Sequence, residues 1–157
     1  MVNKIGIALG SNLGQRKKNI EEAVKYLNVE AIIPISQSSL YETEPIGFDS
    51  NNRFLNAVLL CETELSPQEV LGIILKIEHK MGRTRNSNGY CDRIIDLDLI
   101  FYEDLVHHEA HLVLPHPKMQ ERIFVLEPLA EIYPEWTHPL LGLSALEMLN
   151  NLNNLTL

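Results

Sequence analysis

Cysteine is scarce in this chain. Cys61 lies in an apolar run and Cys91 in a polar stretch, and no C-x-x-C pair is present. Two thiols so placed give neither a disulfide scaffold nor a metal-thiolate site, and a reducing, cytoplasmic setting is expected. Long apolar runs are also missing. None approaches the roughly 18–20 residues of a membrane span, and the N-terminus does not read as a signal peptide, so no membrane partner is expected. Positive charge is in the minority: 13 Lys and Arg face 21 Asp and Glu, a net charge of −8. That balance argues against a general nucleic-acid or anionic-membrane binder. There is no internal repeat and no low-complexity linker. At 157 residues, with 45% apolar and 22% charged content, the chain reads as one domain over 1–157 with room for a real core.

The few basic residues are concentrated. Between positions 76 and 93 stand Lys76, Lys80, Arg83, Arg85 and Arg93, against only Glu78 and Asp92. A local cationic patch on an acidic protein suits a compact anionic ligand. The run Ile94-Ile95-Asp96-Leu97-Asp98-Leu99-Ile100-Phe101 follows directly. Its period of two predicts a strand with Asp96 and Asp98 on one face, roughly 6.5–7 Å apart along the axis, and Ile95, Leu97 and Leu99 on the other. Paired carboxylates bind small hard cations that also take phosphate oxygens, and arginine forks clamp phosphate. As plain structure, two such aspartates would be the solvated side of an edge strand. The adjoining arginines favour a metal-bound polyphosphate.

Lys4 to Leu9 predicts a first strand, followed by a tight turn at Gly10-Ser11-Asn12-Leu13-Gly14 that lacks the Gly-Lys-Ser/Thr ending of a phosphate loop. Ile20, Ala23, Val24 and Leu27 predict a helix over 15–28. A strand over 31–43 is interrupted by Pro34, which suggests an edge or a bulge, and a loop over 44–53 leads to a central strand at 54–63. Ser66-Pro67-Gln68-Glu69 is a capping box that opens a helix ending at Gly82. With the Asp-x-Asp strand the order is βαββαβ: an α+β, ferredoxin-like core with an antiparallel sheet. A short edge strand or hairpin is expected over 105–114. The Pro115-His116-Pro117 turn, a helix from about Lys118 through Leu126, a helical turn over 128–132 and a capped helix from Ser144 to about 151 complete the chain.

Several other side chains are candidates for a site. Asn56 is a polar amide on a core strand, able to cap a loop carbonyl or to offer a donor and an acceptor to a flat heterocycle. Phe54 and Phe124 could stack on such a ring, although each also reads as core. His116 and Arg122 could reach phosphate. His107, His108 and His111 have the look of metal ligands, but no carboxylate or cysteine set accompanies them, and they read as a solvated edge.

Arg83-x-Arg85, then Arg93-Ile94-Ile95-Asp96-Leu97-Asp98-Leu99-Ile100, then Leu114-Pro115-His116-Pro117 and Arg122-x-Phe124, resemble the 6-hydroxymethyl-7,8-dihydropterin pyrophosphokinases of folate biosynthesis. Ala8-Leu9-Gly10-Ser11-Asn12-Leu13-Gly14, Tyr41-x-Thr43 and Phe54-Leu55-Asn56-Ala57 match that family in order and spacing, so the resemblance runs from about residue 4 to 150. It implies transfer of pyrophosphate from ATP to the pterin hydroxymethyl oxygen, releasing AMP. By the same resemblance Asp96 and Asp98 bind two Mg²⁺ ions. Arg83, Arg85, Arg93, Leu99, His116 and Arg122 contact ATP, and Arg83, Arg93, Asp96 and Asp98 are catalytic. Thr43, Ile46, Phe54, Asn56, Asp96 and Phe124 form the pterin site, and Glu78 has a supporting role. No obligatory side-chain base, nucleic-acid partner or fixed oligomer is implied, and a monomer is expected. The chain departs from the family pattern at Tyr90-Cys91-Asp92, where Trp-Gly-Pro is common, and at Asn86, often basic. Two other readings fit the residues alone: another Asp-x-Asp metal-nucleotide transferase, and a non-catalytic ferredoxin-like ligand-binding module.

Overall fold

A computed structural model describes residues 1–44, 52–82 and 94–155. In chain order the strands are β1 (Asn3–Ser11), β2 (Ile33–Gln37), β3 (Tyr41–Thr43), β4 (Phe54–Thr63), β5 (Asp96–Tyr102), β6 (His107–Glu109) and β7 (Leu112–Leu114). The helices are α1 (Arg16–Val29), α2 (Pro67–Lys80), α3 (Ile123–Ile132) and α4 (Ala145–Leu155), with a short 3-10 turn at Met119–Glu121. The main sheet runs β2-β4-β1-β5 with β3 also on β4, and every pairing is antiparallel. This is the ferredoxin-like order, with β1 and β4 central. Among the described residues no helix is long and apolar enough to cross a membrane.

Strand alternation sorts the side chains. Ile5, Ile7 and Leu9 of β1 face α1 and α2, packing with Ile20, Ala23, Leu27, Val70, Ile74 and Ile77. On the opposite face Val58, Leu60, Ile100 and Phe101 are covered by Val125, Leu126 and Leu129 of α3, by Trp136, and by Ala145 and Met148 of α4. Ile100 and Phe101 share that face because of a bulge: Ile7 opposes Leu99 while Gly6 opposes Phe101, which leaves Ile100 as the extra residue. Phe101 then crosses over Gly6 and stacks on Trp136 at 4.4 Å between centroids. A Cβ on Gly6 would lie 2.4 Å from Phe101 Cε2, so glycine is required there.

The capping box at α2 is formed in both directions: Glu69 N donates to Ser66 Oγ at 3.1 Å and Ser66 N donates to Glu69 Oε1 at 2.9 Å. The box at Ser144 forms in the same way with Glu147, and its helix runs on to Leu155. Three expectations are revised. First, β1 continues through Gly10 and Ser11, since Gly10 still pairs with both Asn56 and Asp96. Second, the long strand over 31–43 is two strands, because the register on β4 shifts between Pro34 and Ser36 and the chain steps across residues 38–40. Third, the helix begins at Ile123 and passes through Pro128. Residues 119–121 tighten into the 3-10 turn, with Arg122 N donating to Met119 O. A proline there forfeits one bond, to the Phe124 carbonyl. Pro128 is itself buried, as are Leu126 and Leu129, and that packing offsets the loss.

Candidate active site

On the sheet face opposite α1 and α2, the apolar rows give way to a polar one toward the loops. Gly10 of β1 lies between Asn56 of β4 and Asp96 of β5, and Ala8 lies in the next row between Val58 and Asp98. The missing side chain at Gly10 lets the Asn56 amide and the Phe54 ring come close over the backbone of β1. A Cβ there would sit 3.1 Å from Asn56 Oδ1 and 3.5 Å from Phe54 Cδ1.

Asn56 is buried, and its Nδ2 donates to Thr43 Oγ1 at 2.6 Å and to Tyr41 O at 3.4 Å. With the amide nitrogen engaged by β3, Oδ1 faces Gly10 as an acceptor. Asp96 and Asp98 are half-buried on the same face of β5. Between them, the Leu97 N–H donates to Glu78 Oε2 at 2.9 Å. Glu78 is only 3% exposed, so a buried carboxylate from the end of α2 holds the edge of the aspartate strand. The segment bearing Arg83, Arg85 and Arg93 lies outside the described residues. Its flanks meet beside β5: a Cβ on Gly82 would sit 3.7 Å from Ile94 Cδ1.

His116 is anchored to β5 by its N–H, which donates to Ile100 O at 2.8 Å. Its Nδ1 accepts from Lys118 N at 3.2 Å, which places the proton of the neutral ring on Nε2. Burial first, then the positive charge of Arg122, pushes the imidazole down to about 4, while Asp96 pulls the other way. His116 is thus a neutral donor near pH 7. The Arg122 guanidinium lies over the Phe124 ring, 5.7 Å from its centroid. Ile46 falls in 45–51, outside the described residues. The ends of that segment are tied by Arg53 to Glu44 at 3.0 Å, by Arg16 Nη1 to Arg53 O at 2.9 Å, and by Asn12 Nδ2 to Asn52 O at 3.3 Å.

Asp96, Asp98, Asn56, Phe54 and Thr43 are thus brought to one region, and His116 is near enough to both Asp96 and Arg122 to feel their charges. The Leu99 side chain is not part of that face; it packs into the helix-side core. On the β6–β7 hairpin, His107 contacts Glu109, which also accepts from Gln68 Nε2 at 3.0 Å. Among the described residues no group of three or more His, Cys, Asp and Glu is placed to hold a metal. Sequence reasoning placed Gly10 in a tight turn, and it did not single out Glu131 or link Glu78 to the aspartate strand. A small residue at the end of an alternating strand was the available signal for Gly10.

A ferredoxin-like sheet thus carries an amide, a glycine and two carboxylates along one end of one face. The family model described as 7,8-dihydro-6-hydroxymethylpterin-pyrophosphokinase (HPPK) matches residues 6–134. A 2-amino-4-hydroxy-6-hydroxymethyldihydropteridine pyrophosphokinase of Porphyromonas gingivalis is 43% identical over 136 residues, covering 85% of this chain and 92% of the relative. Its counterpart in Bacillus subtilis is 41% identical over 133 residues, covering 84% and 79%. In fold, the chain is similar to the Plasmodium falciparum HPPK-DHPS A437G structure, with TM-score 0.77 at 18% identity, over 96% of this chain and 45% of that one. The chain belongs to the 7,8-dihydro-6-hydroxymethylpterin-pyrophosphokinase family. It is an ATP-dependent diphosphokinase that transfers pyrophosphate to hydroxymethyldihydropterin in folate biosynthesis.

Proposed function

We propose that the Asn56–Gly10–Asp96 row is where the two substrates meet, the pterin over the Asn56 side and the triphosphate over the aspartates. The observation supporting this is the shared register of β4, β1 and β5, which lines up an acceptor, a glycine with no side chain and a carboxylate along one face. Asn56 Oδ1 accepts from the N–H edge of the ring, with main-chain help from Thr43 and Ile46. Phe54 and Phe124 supply stacking faces. The Asp96 carboxylate lies nearest the hydroxymethyl group.

Asp96 and Asp98 are the residues that would hold Mg²⁺. Two half-buried carboxylates, which among the described residues belong to no larger group of metal-ligating side chains, fit a cation that completes its shell with phosphate oxygens and water. Such ions, when bound, neutralise the phosphate chain and acidify a coordinated hydroxyl. Arg83, Arg85, Arg93 and Arg122 bind and neutralise the rest of the chain. Arg83 and Arg93 act on the charge that develops as the β-phosphorus is attacked and AMP departs. His116 donates through Nε2–H to a phosphate oxygen, and the main chain at Leu99 is the part of that residue offered to the nucleotide. Alignment and neutralisation are the protein's main contributions, and no side chain is assigned as an obligatory base.

The test is incubation with Mg-ATP and 6-hydroxymethyl-7,8-dihydropterin, followed by chromatography. AMP and a pterin pyrophosphate in equal amounts are expected. ADP with a pterin monophosphate, or nucleotide turnover without a pterin product, would overturn the reading.

A further inference from the structure

Among the described residues, one carboxylate on α3, Glu131, accepts hydrogen bonds from both Ser39, in the step between β2 and β3, and Tyr41, at the start of β3. Ser39 N donates to Glu131 Oε1 at 3.1 Å and Oε2 at 3.0 Å, Ser39 Oγ donates to Oε2 at 3.0 Å, and Tyr41 Oη donates to Oε1 at 2.6 Å. The preceding residue is stitched to the central strand instead: Ser38 N donates to Val58 O at 3.0 Å, and Ser38 Oγ accepts from Val58 N at 2.9 Å. Position 38 is therefore fixed by β4, whereas Ser39 and the Tyr41 hydroxyl are held by α3. The Tyr41 hydroxyl is pushed up to about 12, chiefly by its bond to Glu131, and the same bond draws Glu131 below the usual carboxylate range. The pair stays an ionised acceptor with a neutral donor across the working pH range.

β3 is only three residues long and pairs with β4 at Tyr41–Asn56, Glu42–Leu55 and Thr43–Phe54. So short a strand is weakly held by its own ladder. Yet Tyr41 O and Thr43 Oγ1 are the two acceptors that engage Asn56 Nδ2 and leave Oδ1 turned toward Gly10. If β3 slackened, the amide could rotate and present a donor where an acceptor is needed.

We propose that Glu131 is a positioning residue for the pterin. By clamping Ser39 and Tyr41 to α3 it sets β3, and through β3 it sets the Asn56 amide with its oxygen toward the ring. The proposal rests on Asn56 reading the pterin edge, as argued above. A clamp serving stability alone would affect both substrates alike.

The experiment measures the affinities of the full chain for 6-hydroxymethylpterin and, separately, for a nonhydrolysable ATP analogue with Mg²⁺. It compares Glu131→Gln, Tyr41→Phe, Asn56→Ala and the Glu131→Gln/Asn56→Ala double variant. Glu131→Gln and Tyr41→Phe should each weaken the pterin about three- to tenfold, as expected for a partly exposed charge-assisted hydrogen bond, with nucleotide affinity unchanged. The double variant should bind the pterin no worse than Asn56→Ala, since the clamp acts through that amide. Additive losses in the double variant, or equal losses for both ligands with a lowered Tm, would overturn the proposal. Unchanged pterin affinity in Asn56→Ala would overturn the Asn56 reading itself, and the proposal with it. Tyr41→Phe removes a single hydroxyl and keeps the comparison informative if Glu131→Gln folds poorly.

Discussion

Glu78 Oε2 accepts the main-chain N–H of Leu97 at 2.9 Å, and Leu97 is the residue between Asp96 and Asp98. β5 is an edge strand bonded to β1 on one side, so its outward N–H groups need partners from elsewhere. Glu78 supplies one from α2, at the point where the spacing of the two carboxylates is decided.

Replacing Glu78 with alanine should therefore cost stability and turnover together. A buried N–H left without a partner costs about 1–3 kcal/mol, readable as a shift in the urea midpoint. Glu78→Gln keeps an acceptor and should recover most of the stability. A Glu78→Ala protein with native stability and full kcat would show that Leu97 N finds another partner.

Asp96→Ala and Asp98→Ala should each abolish transfer, by more than about 10²-fold in kcat, while the circular dichroism spectrum and Tm change little, because both side chains are only half-buried. Chelation of divalent ions should have the same effect on the wild type, reversed by adding Mg²⁺. Transfer that survives chelation would contradict the assignment of the two aspartates.

The glycines of β1 should respond differently to the same substitution. Gly6→Ala places a methyl group 2.4 Å from Phe101 Cε2, within a packed core, and should lower Tm sharply. Gly10→Ala meets Asn56 Oδ1 at 3.1 Å. It should leave the fold largely unchanged but weaken pterin binding about tenfold, or about 1.4 kcal/mol. Calorimetric titration of both variants separates the two outcomes.

His116 makes the ligand-free protein acid-sensitive. Its folded value, about 4, lies below the 6.5 of an unperturbed imidazole. Above pH 6.5 both folded and unfolded states are neutral at this site and it contributes no pH dependence. As pH falls toward 4, the unfolded chain takes up a proton that the folded protein refuses, so stability declines, by about 2–3 kcal/mol in all. Urea denaturation at pH 7 and pH 4.5 should show a smaller decline in His116→Gln than in the wild type. Parallel slopes in the two proteins would refute it.

Much of this was legible in the residues alone. The period-two run through Asp96 and Asp98 placed both carboxylates on one face because strand side chains alternate, whatever the rest of the fold does. The capping boxes at Ser66 and Ser144 are local hydrogen-bond patterns and formed as read. Pro34 marked an edge because it cannot donate to a ladder, and β2 is at the edge of the sheet.

What tertiary structure alone decided was which of these pieces face one another. The alignment of Asn56, Gly10 and Asp96 depends on the register of three strands separated by helices and loops, and short-range patterning does not encode register between distant segments. The bulge that turns both Ile100 and Phe101 into the second core, the bond from Glu78 to Leu97, and the clamp from Glu131 to Tyr41 are long-range contacts of the same kind. Local propensity sets what each segment becomes. The packing of side chains from remote segments sets where its chemistry points.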